Sequence, residues 1–462
     1  MDTYFGRRGY TIPKSKLTPL QQERIRKDLT VSPKAPGPCF GVPPSFPIYR
    51  ESLNKMYVPR YYGEKSFGKA MINKRPSGCD VSMNFSGSLR PEQEECANKF
   101  MAKAKGGGGL LELYCGFGKT VVALSLAAAL GKRTVVVVHK DFLVNQWRER
   151  IGQFLPGAKV GKIQGPHLEI DGCDIVIAML QSIAIKDYPP EVWESFGFAI
   201  IDECHHMSAE VFSNALFKIV TPCMLGLSAT MTRKDGLSKV FKMFIGGVVA
   251  KKKRDDGGRV IVRVKSFTSP DEDFNRSELD YRGQVKYASM ISKVHEFEPR
   301  VEFISSIITE IVSTEEEGRQ LLVLAQNRCL LTSLMSRATA AGIDIGYYVG
   351  GMKEKDLNES AKCRVILATY GMAEEALDIK GLSTLILASP RTSVEQAVGR
   401  ILRTEKHTPI VYDVVDQHEV FRRQWKKRLK FYQKNKYTIE SKTILPTAVS
   451  GKTEIQLGVC YV

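Results

Sequence analysis

Short apolar runs recur along this chain, and most are followed by stretches in which apolar residues return every three or four positions. Uninterrupted apolar runs are typical of strands buried on both faces, and the second spacing is typical of amphipathic helices. The alternation predicts an α/β protein with parallel sheets. The runs form two groups, at 110–114, 135–138, 175–179, 199–201 and 224–227, and at 321–325, 345–350, 365–369, 385–389 and 409–415.

The grouping predicts two tandem lobes between smaller flanking regions. A charged stretch with two glycines follows the first group at 248–258, and Val260, Val262 and Val264 then alternate with other residues like an edge strand or hairpin arm. We therefore divide the chain into an N-terminal basic, proline-rich accessory region, a first lobe, a linker or hairpin, a second lobe and a C-terminal tail, at 1–85, 86–247, 248–280, 281–437 and 438–462.

The first 85 residues differ in composition, because they hold ten of the chain's 21 prolines. Thr18, Pro19 and Gln21 have the pattern of a helix N-terminus with a capping box, and we expect that helix to run to about Asp28. Further on, the segment 56–63 (MYVPRYYG) interleaves aromatic residues with an arginine. Two interpretations stay open for it: a stacking surface for nucleic acid bases, or aromatic residues on a half-buried strand.

The string CGFGKT at 115–120 has the composition of a phosphate-binding loop. It follows the apolar run 110–114 and precedes a helical pattern, which is the order such a loop requires. Backbone N–H groups would hold the β-phosphate, Lys119 would reach the β- and γ-phosphates, and Thr120 would ligate Mg²⁺. The full pattern has glycine at position 113, where this chain has leucine, so a glycine turn that only packs a helix on a strand stays an alternative. The candidate nucleotide-binding residues are Gly116, Phe117, Gly118, Lys119 and Thr120.

The string DECH at 202–205 follows the apolar run 198–201. Parallel sheets present catalytic residues at such strand ends, so Asp202 is placed to hold Mg²⁺ and Glu203 to polarise the attacking water. The two adjacent carboxylates would repel each other without a cation nearby. For the two histidines that begin at the end of this string, a polar role at a strand end and a coupling role both stay open.

The string QAVGRILR at 396–403 follows another apolar run, 384–390. On a helix, Gln396, Arg400 and Arg403 share one face, and two guanidinium groups on an exposed stripe favour an anionic partner. We interpret them as residues that contact the γ-phosphate, in the manner of arginine fingers. The alternative is a capping box between Ser393 and Gln396 with solvated arginines.

In this order, the three strings resemble the motifs of superfamily 2 helicases and translocases. The resemblance implies two RecA-like lobes: one binds ATP, with Gln93 on the adenine side, and the other supplies arginines that complete the site when the lobes close. Further segments resemble other motifs of the family: LRPEQ (89–93), VVVVHKDFLVNQW (135–147), LQSIA (180–184), LGLSAT (225–230), VLAQNR (323–328) and ATYGMAEEALDI (368–379).

The resemblance also implies roles outside the ATP site. The expected coupling residues, which would link the state of the phosphate to the nucleic acid, are Ser228, Thr230 and Asp378. Nucleic acid contacts, mostly to sugar and phosphate, are expected from Gln181, Ser182, Arg233, Lys234 and Thr369.

Within the superfamily, SATMTRKDGL (228–237) and QAVGRILR resemble the XPB-like group. More particularly, the chain resembles the short helicases of large nucleocytoplasmic DNA viruses, relatives of the poxvirus transcript-release helicase. An Arg-Glu-Asp element of XPB-like proteins corresponds here to Arg233, Lys234 and Asp235, so its central acid is replaced by a base. The resemblance implies movement from 3′ to 5′ on DNA.

Charge supports a polyanionic partner. Lys and Arg number 67 against 50 Asp and Glu, a net charge of +17, which favours nucleic acid as the partner. The preference for DNA over RNA is implied by the resemblance and not by the charge. Residues 1–85 hold 15 basic and 6 acidic side chains, and residues 421–436 hold 8 basic and none acidic. The second cluster has helical spacing, so we expect its apolar face to pack on the second lobe and its basic face to be a candidate phosphate track. That apolar face comprises Phe421, Trp425, Leu429 and Tyr432.

The chain has the features of an intracellular protein. No apolar run approaches 18 residues and the N-terminus lacks a secretory pattern, so we expect neither membrane insertion nor export. Ten cysteines are scattered without a CxxC pair, and Cys115 and Cys204 lie inside nucleotide motifs, which indicates a reducing compartment. The nucleus, a virus factory or a virion would suit this prediction. We expect a monomer that works with transcription or replication machinery.

These observations predict an enzyme that uses ATP and Mg²⁺ to move along a nucleic acid strand, with strand separation as an outcome. Three alternatives stay open. The first is a nucleic-acid-dependent ATPase that releases or remodels transcription complexes without processive unwinding. The second is an RNA helicase, and the third is a binding scaffold with a degenerate ATPase.

Overall fold

The computed structural model describes residues 2–33, 44–204, 209–231, 235–254, 259–314, 318–375, 377, 379–403 and 406–441. The chain divides into two compact units, Met1–Lys253 and Arg254–Val462. Each unit is built on a large, mostly parallel sheet with intervening helices. This confirms the predicted α/β fold of two tandem RecA-like lobes.

The first unit opens with short elements. They are β1 (Tyr4–Gly6), β2 (Gly9–Pro13), a 3₁₀ turn (Lys14–Lys16), α1 (Pro19–Asp28), β3 (Thr30–Val31), β4 (Phe46–Pro47), β5 (Arg50–Glu51), β6 (Lys55–Val58), α2 (Arg60–Phe67) and β7 (Ile72–Asn73). Five of the strands form one sheet in the order β5-β6-β2-β1-β7. The capping box of α1 is confirmed, because Gln21 N donates to Thr18 Oγ1 at 3.2 Å and Thr18 N donates to Gln21 Oε1 at 2.8 Å.

This small sheet shares a core with the nucleotide-binding part of the unit. Tyr10 and Met56 are fully buried in the same cluster as Phe212. Gly78 lies so close to Gly197 that a Cβ at position 78 would be 2.1 Å from the Gly197 nitrogen. Residues 2–33 and 44–85 therefore pack as part of the first unit.

The aromatic segment 56–63 is partly strand and partly helix, since β6 ends at Val58 and α2 begins at Arg60. The Arg60 guanidinium lies 5.0 Å from the Phe5 ring centroid and donates to the Gly106 carbonyl at 2.6 Å. The Arg75 guanidinium also contacts the Phe5 ring, at 4.6 Å from its centroid. Arg60 is thus a packing residue. The aromatic residues are half-buried, as the second interpretation expects, but Tyr57 lies on a strand and Tyr61 and Tyr62 lie on a helix.

The large sheet of the first unit contains β8 (Gly108–Leu113), β9 (Thr134–Val138), β10 (Val160–Gln164), β11 (His167–Glu169), β12 (Ile175–Met179), β13 (Phe198–Ile201), β14 (Cys223–Ser228) and β15 (Val248–Lys252). Its helices are α3 (Pro91–Ala104), α4 (Lys119–Leu130), α5 (Asp141–Phe154), α6 (Leu180–Ile185), α7 (Pro190–Glu194), α8 (Ala209–Leu216) and α9 (Ser238–Ile245). The strand order is β11-β10-β12-β9-β13-β14-β8-β15, and β11 is antiparallel to its neighbour.

The apolar runs of this sheet are continuous because both faces are covered. In β9, Val135 and Val137 belong to one core cluster, and Val136 and Val138 belong to the other. All four side chains are fully buried. A strand covered on one face only would have alternated with polar residues.

The sheet of the second unit contains β16 (Ile261–Phe267), β17 (Gln320–Ala325), β18 (Ile345–Tyr348), β19 (Val365–Thr369), β20 (Leu382–Leu387), β21 (Ile410–Asp416) and β22 (Thr438–Ser441). Its helices are α10 (Glu272–Asn275), α11 (Tyr287–Glu296), α12 (Glu298–Thr314), α13 (Arg328–Ala340), α14 (Glu354–Ser360), α15 (Tyr370–Glu375), α16 (Glu395–Ile401) and α17 (Glu419–Lys434). The strands are parallel in the order β18-β19-β17-β20-β21-β16-β22. Within the described ranges, no helix is long and apolar enough to span a bilayer.

The segment predicted as a linker or hairpin, 248–280, is shared between the two sheets. Its first strand, β15, pairs with β8 in the first unit, and β16 lies between β21 and β22 in the second. The expectation of an edge strand or hairpin arm at β16 was wrong. The charged residues of β16 are compatible with a position inside the sheet because they have acidic partners: Arg263 pairs with Glu440, and Lys265 pairs with Glu310.

The amphipathic helix predicted near the C-terminus is α17. Its apolar face is buried or half-buried as expected, at Phe421, Trp425, Leu429 and Tyr432. One member of the basic run differs, because Arg428 is only 2% exposed. Its guanidinium donates to both Asp413 carboxylate oxygens at 2.8 Å, and the Tyr432 hydroxyl donates to the same carboxylate at 2.7 Å. This buried pair joins α17 to β21.

We expect Asp413→Asn to detach α17 locally, because Arg428 would remain buried without a counter-charge. The free energy of local unfolding of α17 should fall by about 3 kcal/mol. Glu419→Gln is the matched control: it removes one carboxylate from an exposed pair with Arg423 on the same helix and should cost no more than about 0.5 kcal/mol. Hydrogen–deuterium exchange of peptides covering 419–434 measures both, and equal protection in the two variants would contradict the assigned role of Asp413.

Candidate active site

The glycine string forms the turn between β8 and α4. Gly116 and Gly118 have φ angles of +87° and +90°, a region that favours glycine, and α4 begins at Lys119. Leu113 occupies the position where the full pattern has glycine; it is the last residue of β8 and is fully buried in the core. The predicted order of strand, turn and helix is therefore present, and the turn begins one residue after this leucine.

Gln93 braces this turn from α3. Its amide Nε2 donates to the Phe117 carbonyl at 2.7 Å, and Arg90 donates to the same oxygen at 2.6 Å. A Cβ at Gly118 would lie 2.5 Å from Gln93 Nε2, so the turn and the glutamine are closely packed. The Phe117 ring is fully buried edge-on to Tyr114, with 5.2 Å between ring centroids. Of Phe117, the main chain alone is therefore available for a nucleotide.

Asp202 and Glu203 follow directly after β13, opposite the glycine turn. Lys119 Nζ lies 2.6 Å from Glu203 Oε1. Asp202 is 7% exposed, and its Oδ2 accepts a hydrogen bond from Trp147 Nε1 at 2.8 Å. Its Oδ1 accepts one from the Glu203 amide at 2.9 Å. The structure thus brings the predicted lysine and both predicted carboxylates together.

The charges of these three groups are coupled. Burial, and then the Glu203 carboxylate, raise the pKa of Asp202 to about 6, against the opposing effects of Lys119 and Trp147. Burial has the largest effect on Lys119 and by itself would lower the pKa, but Glu203, together with Cys115 and Asp202, holds that pKa above its usual value. Lys119 is therefore an ammonium group beside two carboxyl groups, of which Asp202 is buried.

This donor set fits Mg²⁺ and a triphosphate. Mg²⁺ prefers oxygen ligands and is usually bound through one or two protein groups plus phosphates and water. Thr120, one residue into α4, and Asp202 offer a hydroxyl and a carboxylate of this kind. A cation bound beside Asp202 would oppose the effect of burial on its pKa and favour its ionised form.

Glu203 has an unusual backbone. Its φ is +45°, one of two positive values among non-glycine residues of the described chain. Such a conformation costs roughly 1–3 kcal/mol and occurs disproportionately at functional sites. It turns the chain sharply after β13, and the Cys204 amide then donates to the Leu227 carbonyl of β14 at 3.2 Å.

The predicted coupling residues of the first unit lie beside this turn. Ser228 ends β14 with its side chain fully buried, and Thr230 N donates to Ser228 Oγ at 3.1 Å. The LGLSAT segment is therefore adjacent to the strand end that carries Asp202 and Glu203. Other predicted residues lie outside the described residues: His205, His206, Arg233, Lys234 and Asp378.

Gln181 and Ser182 follow β12, next to the end of β9. The Gln181 amide donates to the His139 carbonyl at 3.0 Å, and Ser182 Oγ accepts from the Gly165 amide at 2.9 Å. The segments predicted from LQSIA and VVVVHKDFLVNQW are thus neighbours on one edge of the sheet. Their polar side chains brace adjacent loops, which leaves Gln181 exposed and Ser182 half-buried.

In the second unit, Gln396 and Arg400 lie on α16, and Arg403 lies beyond its end. The expectation that both arginines lie on an exposed helical stripe was wrong for each of them: Arg403 is half-buried and lies outside the helix, and Arg400 is buried on it. Arg400 is 7% exposed, and its Nη1 donates to the Leu377 carbonyl at 2.9 Å. The alternative capping box at Ser393 was also wrong, because the N-cap is Val394 without a side-chain hydrogen bond. Thr369 ends β19 and is half-buried.

The second unit also contains a buried polar network that the sequence did not reveal. His295 contacts Asn327 Oδ1 at 2.8 Å through Nδ1 and Ser389 Oγ at 2.7 Å through Nε2. Burial, and then the charge of Arg300, lower the pKa of His295 to about 4, so its ring is neutral near pH 7. Asn327 and Ser389 follow the neighbouring strands β17 and β20, and the network therefore fixes the loop containing the VLAQNR segment.

Comparison with known proteins indicates the family to which the chain belongs. A family model described as the res subunit of type III restriction enzymes matches residues 86–233. A protein of Acanthamoeba polyphaga mimivirus, named provisionally as an ATP-dependent RNA helicase, is 35% identical over 455 residues, covering 95% of this chain and 86% of that protein. A provisionally named helicase of Invertebrate iridescent virus 6 is 25% identical over 420 residues, covering 86% of this chain and 91% of its own length.

Among solved structures, T4 UvsW matches 92% of this chain and 96% of its own with 16% identity and a TM-score of 0.35. A likeness at that level adds nothing to the fold, which is established by the sheets of the two units. The mimivirus relative is similar over nearly its whole length, and the chain therefore belongs to the superfamily 2 helicases. It is an ATP-hydrolysing, nucleic-acid-dependent enzyme of that class.

Trp147 is the residue of this site that sequence reasoning missed. We expect Trp147→Phe to keep most of the packing but remove the hydrogen bond to Asp202, lowering kcat/KM for ATP roughly tenfold and raising the Mg²⁺ concentration required. Trp193→Phe is the control, because Trp193 is also buried, at 6% exposed against 1% for Trp147, in another cluster of the same unit. Steady-state ATPase assays across a Mg²⁺ series measure the effect. Wild-type constants in Trp147→Phe would show that the hydrogen bond does not support Asp202.

Proposed function

We propose that this protein is a motor that uses ATP hydrolysis to translocate along one strand of DNA from 3′ to 5′ and thereby separates strands. The observation that carries the proposal is the contact between Lys119 of the glycine turn and Glu203 of the DECH string, 2.6 Å apart beside the buried Asp202. Hydrolysis of a nucleoside triphosphate requires groups of this kind to bind the phosphates, to hold the metal ion and to orient the attacking water.

The contact between Lys119 and Glu203 suggests how ATP binding would activate the site. Glu203 forms an ion pair with Lys119. The γ-phosphate of ATP would compete for the ammonium group and release the carboxylate. Glu203 would then orient the attacking water, while the amides at the start of α4 hold the β-phosphate. Thr120 and Asp202 would hold Mg²⁺, which supplies positive charge to the phosphates.

The remaining site roles belong to the same proposal. Gln396, Arg400 and Arg403 would respond to the γ-phosphate, and Ser228, Thr230 and Asp378 would couple its state to the bound strand. Support for Ser228 and Thr230 is their position beside the strand end of Glu203. Strand contacts would come from Gln181, Ser182, Arg233, Lys234 and Thr369, mainly to sugar and phosphate, which suits a motor that must pass any sequence.

The choice of DNA and of polarity rests on the resemblance of the 228–237 segment to XPB-like proteins. One observation favours RNA instead, namely the name of the mimivirus relative, an RNA helicase. Backbone contacts distinguish the two strands mainly at the 2′-hydroxyl. RNA is therefore the rival track that an experiment must separate.

Lys119 and Glu203 should fail in different ways. We expect Glu203→Gln to lower kcat by at least about 100-fold while ATP binds as tightly as before or tighter, because the competitor for Lys119 is weakened. Lys119→Ala should lower kcat similarly and also weaken ATP binding. Lys103→Ala, an exposed lysine of α3, is the control. Single-turnover hydrolysis and ATP titrations separate the two effects, and weakened ATP binding in Glu203→Gln would count against the competition.

The track should be visible in stimulation and unwinding. We expect single-stranded DNA to stimulate the ATPase more than duplex DNA or RNA of the same length, and a fork with a 3′ overhang to be unwound in preference to one with a 5′ overhang. Stronger stimulation by RNA would overturn the choice of DNA. Stimulation without unwinding of either fork would instead identify a release or remodelling ATPase.

A further inference from the structure

The outer face of α17 carries a concentrated positive charge that the ATPase motifs do not use. Six of its basic residues lie within an arc of about 140° when successive residues are turned by about 100° around the helix. The buried side chains lie on the opposite side of the same helix. The six residues, here called the basic face, are Arg422, Arg423, Lys426, Lys427, Lys430 and Lys434.

Most of this charge is not neutralised by the protein. Of the basic run, Arg428 is buried against Asp413, and Arg423 pairs with Glu419, the one acidic residue of α17. Arg422, Lys426, Lys427, Lys430 and Lys434 are exposed and have no acidic partner in the part of the chain that the structure describes. A polyanion would lower the repulsion among them.

The spacing of the charges suits a phosphate backbone. Arg422, Lys426, Lys430 and Lys434 follow one another at four-residue intervals, each a rise of about 6 Å along the helix axis. The row is about 18 Å long, which is the rise of roughly five phosphates of one strand measured along the axis of a duplex. The buried Arg428–Asp413 pair holds the helix, so this row is already arranged before a ligand binds.

The character of the face distinguishes between polyanions. An amphipathic helix that binds a membrane inserts its apolar face, but the apolar face of α17 packs on its own sheet. Proteins that hold single strands usually stack bases on exposed aromatic rings, whereas Trp425 and Phe431 are half-buried and Tyr432 is fully buried. Charge without apolar or aromatic contacts is what binding to a duplex backbone requires.

We infer that the basic face of α17 is a second nucleic acid site, which binds the sugar-phosphate backbone of duplex DNA independently of sequence. This inference rests on the proposed function, because it assumes that nucleic acid is the substrate. It adds a duplex contact to the strand contacts of the motor, so that α17 would hold the double-stranded part of a fork.

The test compares two variants with the same loss of four charges in the full-length protein. One is Arg422→Gln/Lys426→Gln/Lys430→Gln/Lys434→Gln. The other replaces exposed lysines dispersed over the first unit, Lys27→Gln/Lys65→Gln/Lys69→Gln/Lys103→Gln. Fluorescence anisotropy gives Kd for a blunt duplex of about 20 base pairs and for a single strand of about 20 nucleotides. The salt series runs from about 50 to 200 mM, a range over which counterion release changes affinity strongly.

We expect the α17 variant to bind the duplex at least about tenfold more weakly than the dispersed variant, with a slope of log Kd against log salt smaller by about 3. The single strand should be affected less, and ATPase activity without nucleic acid should be unchanged. Lys426→Arg/Lys430→Arg/Lys434→Arg, which keeps the charge, should bind like wild type.

Each contrary result has its own meaning. Equal duplex binding by the two charge-loss variants would overturn the inference and leave the proposed function standing. An equal loss on single strand and duplex would overturn the assignment to duplex. Failure of the wild-type protein to bind either nucleic acid would overturn the proposed function itself.

Discussion

The ATP site depends on how one strand end accommodates two adjacent carboxylates. Asp202 and Glu203 leave a buried strand where water is scarce, and two negative charges there are unfavourable without a cation. Lys119 supplies one positive charge from the glycine turn. Trp147 supplies a hydrogen bond from α5 to Asp202. The Mg²⁺ ion of a bound triphosphate would supply further positive charge beside the Asp202 carboxylate. Binding of Mg²⁺ and the triphosphate would thus add to the contacts that Lys119 and Trp147 already make with these carboxylates.

Parallel strands explain why residues so distant in sequence meet. Every strand of a parallel sheet ends on the same edge, and in the first unit β8, β9, β12, β13 and β14 bring their following segments to that edge. The second unit uses the same principle, with His295 joining the ends of β17 and β20. In both units buried polar contacts, and not the strands alone, set the orientation of the loops.

Much of this arrangement could be predicted from sequence, because strands buried on both faces leave apolar runs that cannot be mistaken for surface. β12 spans the predicted residues 175–179, and α1 ends at the predicted Asp28. The short strands of the N-terminal sheet, some of two residues, leave no periodic signal. Long-range pairs leave none either: nothing near Trp147 indicates its partner 55 residues away, and nothing in a basic run marks Arg428 as buried.

The left-handed backbone of Glu203 has a consequence for how this protein can evolve. Glycine at that position would relieve the torsional cost, but it would also leave the largely buried ammonium group of Lys119 without the carboxylate beside it. The two effects oppose each other. A copy of this gene released from its catalytic duty would therefore gain stability from losing this acid only if the lysine were replaced as well.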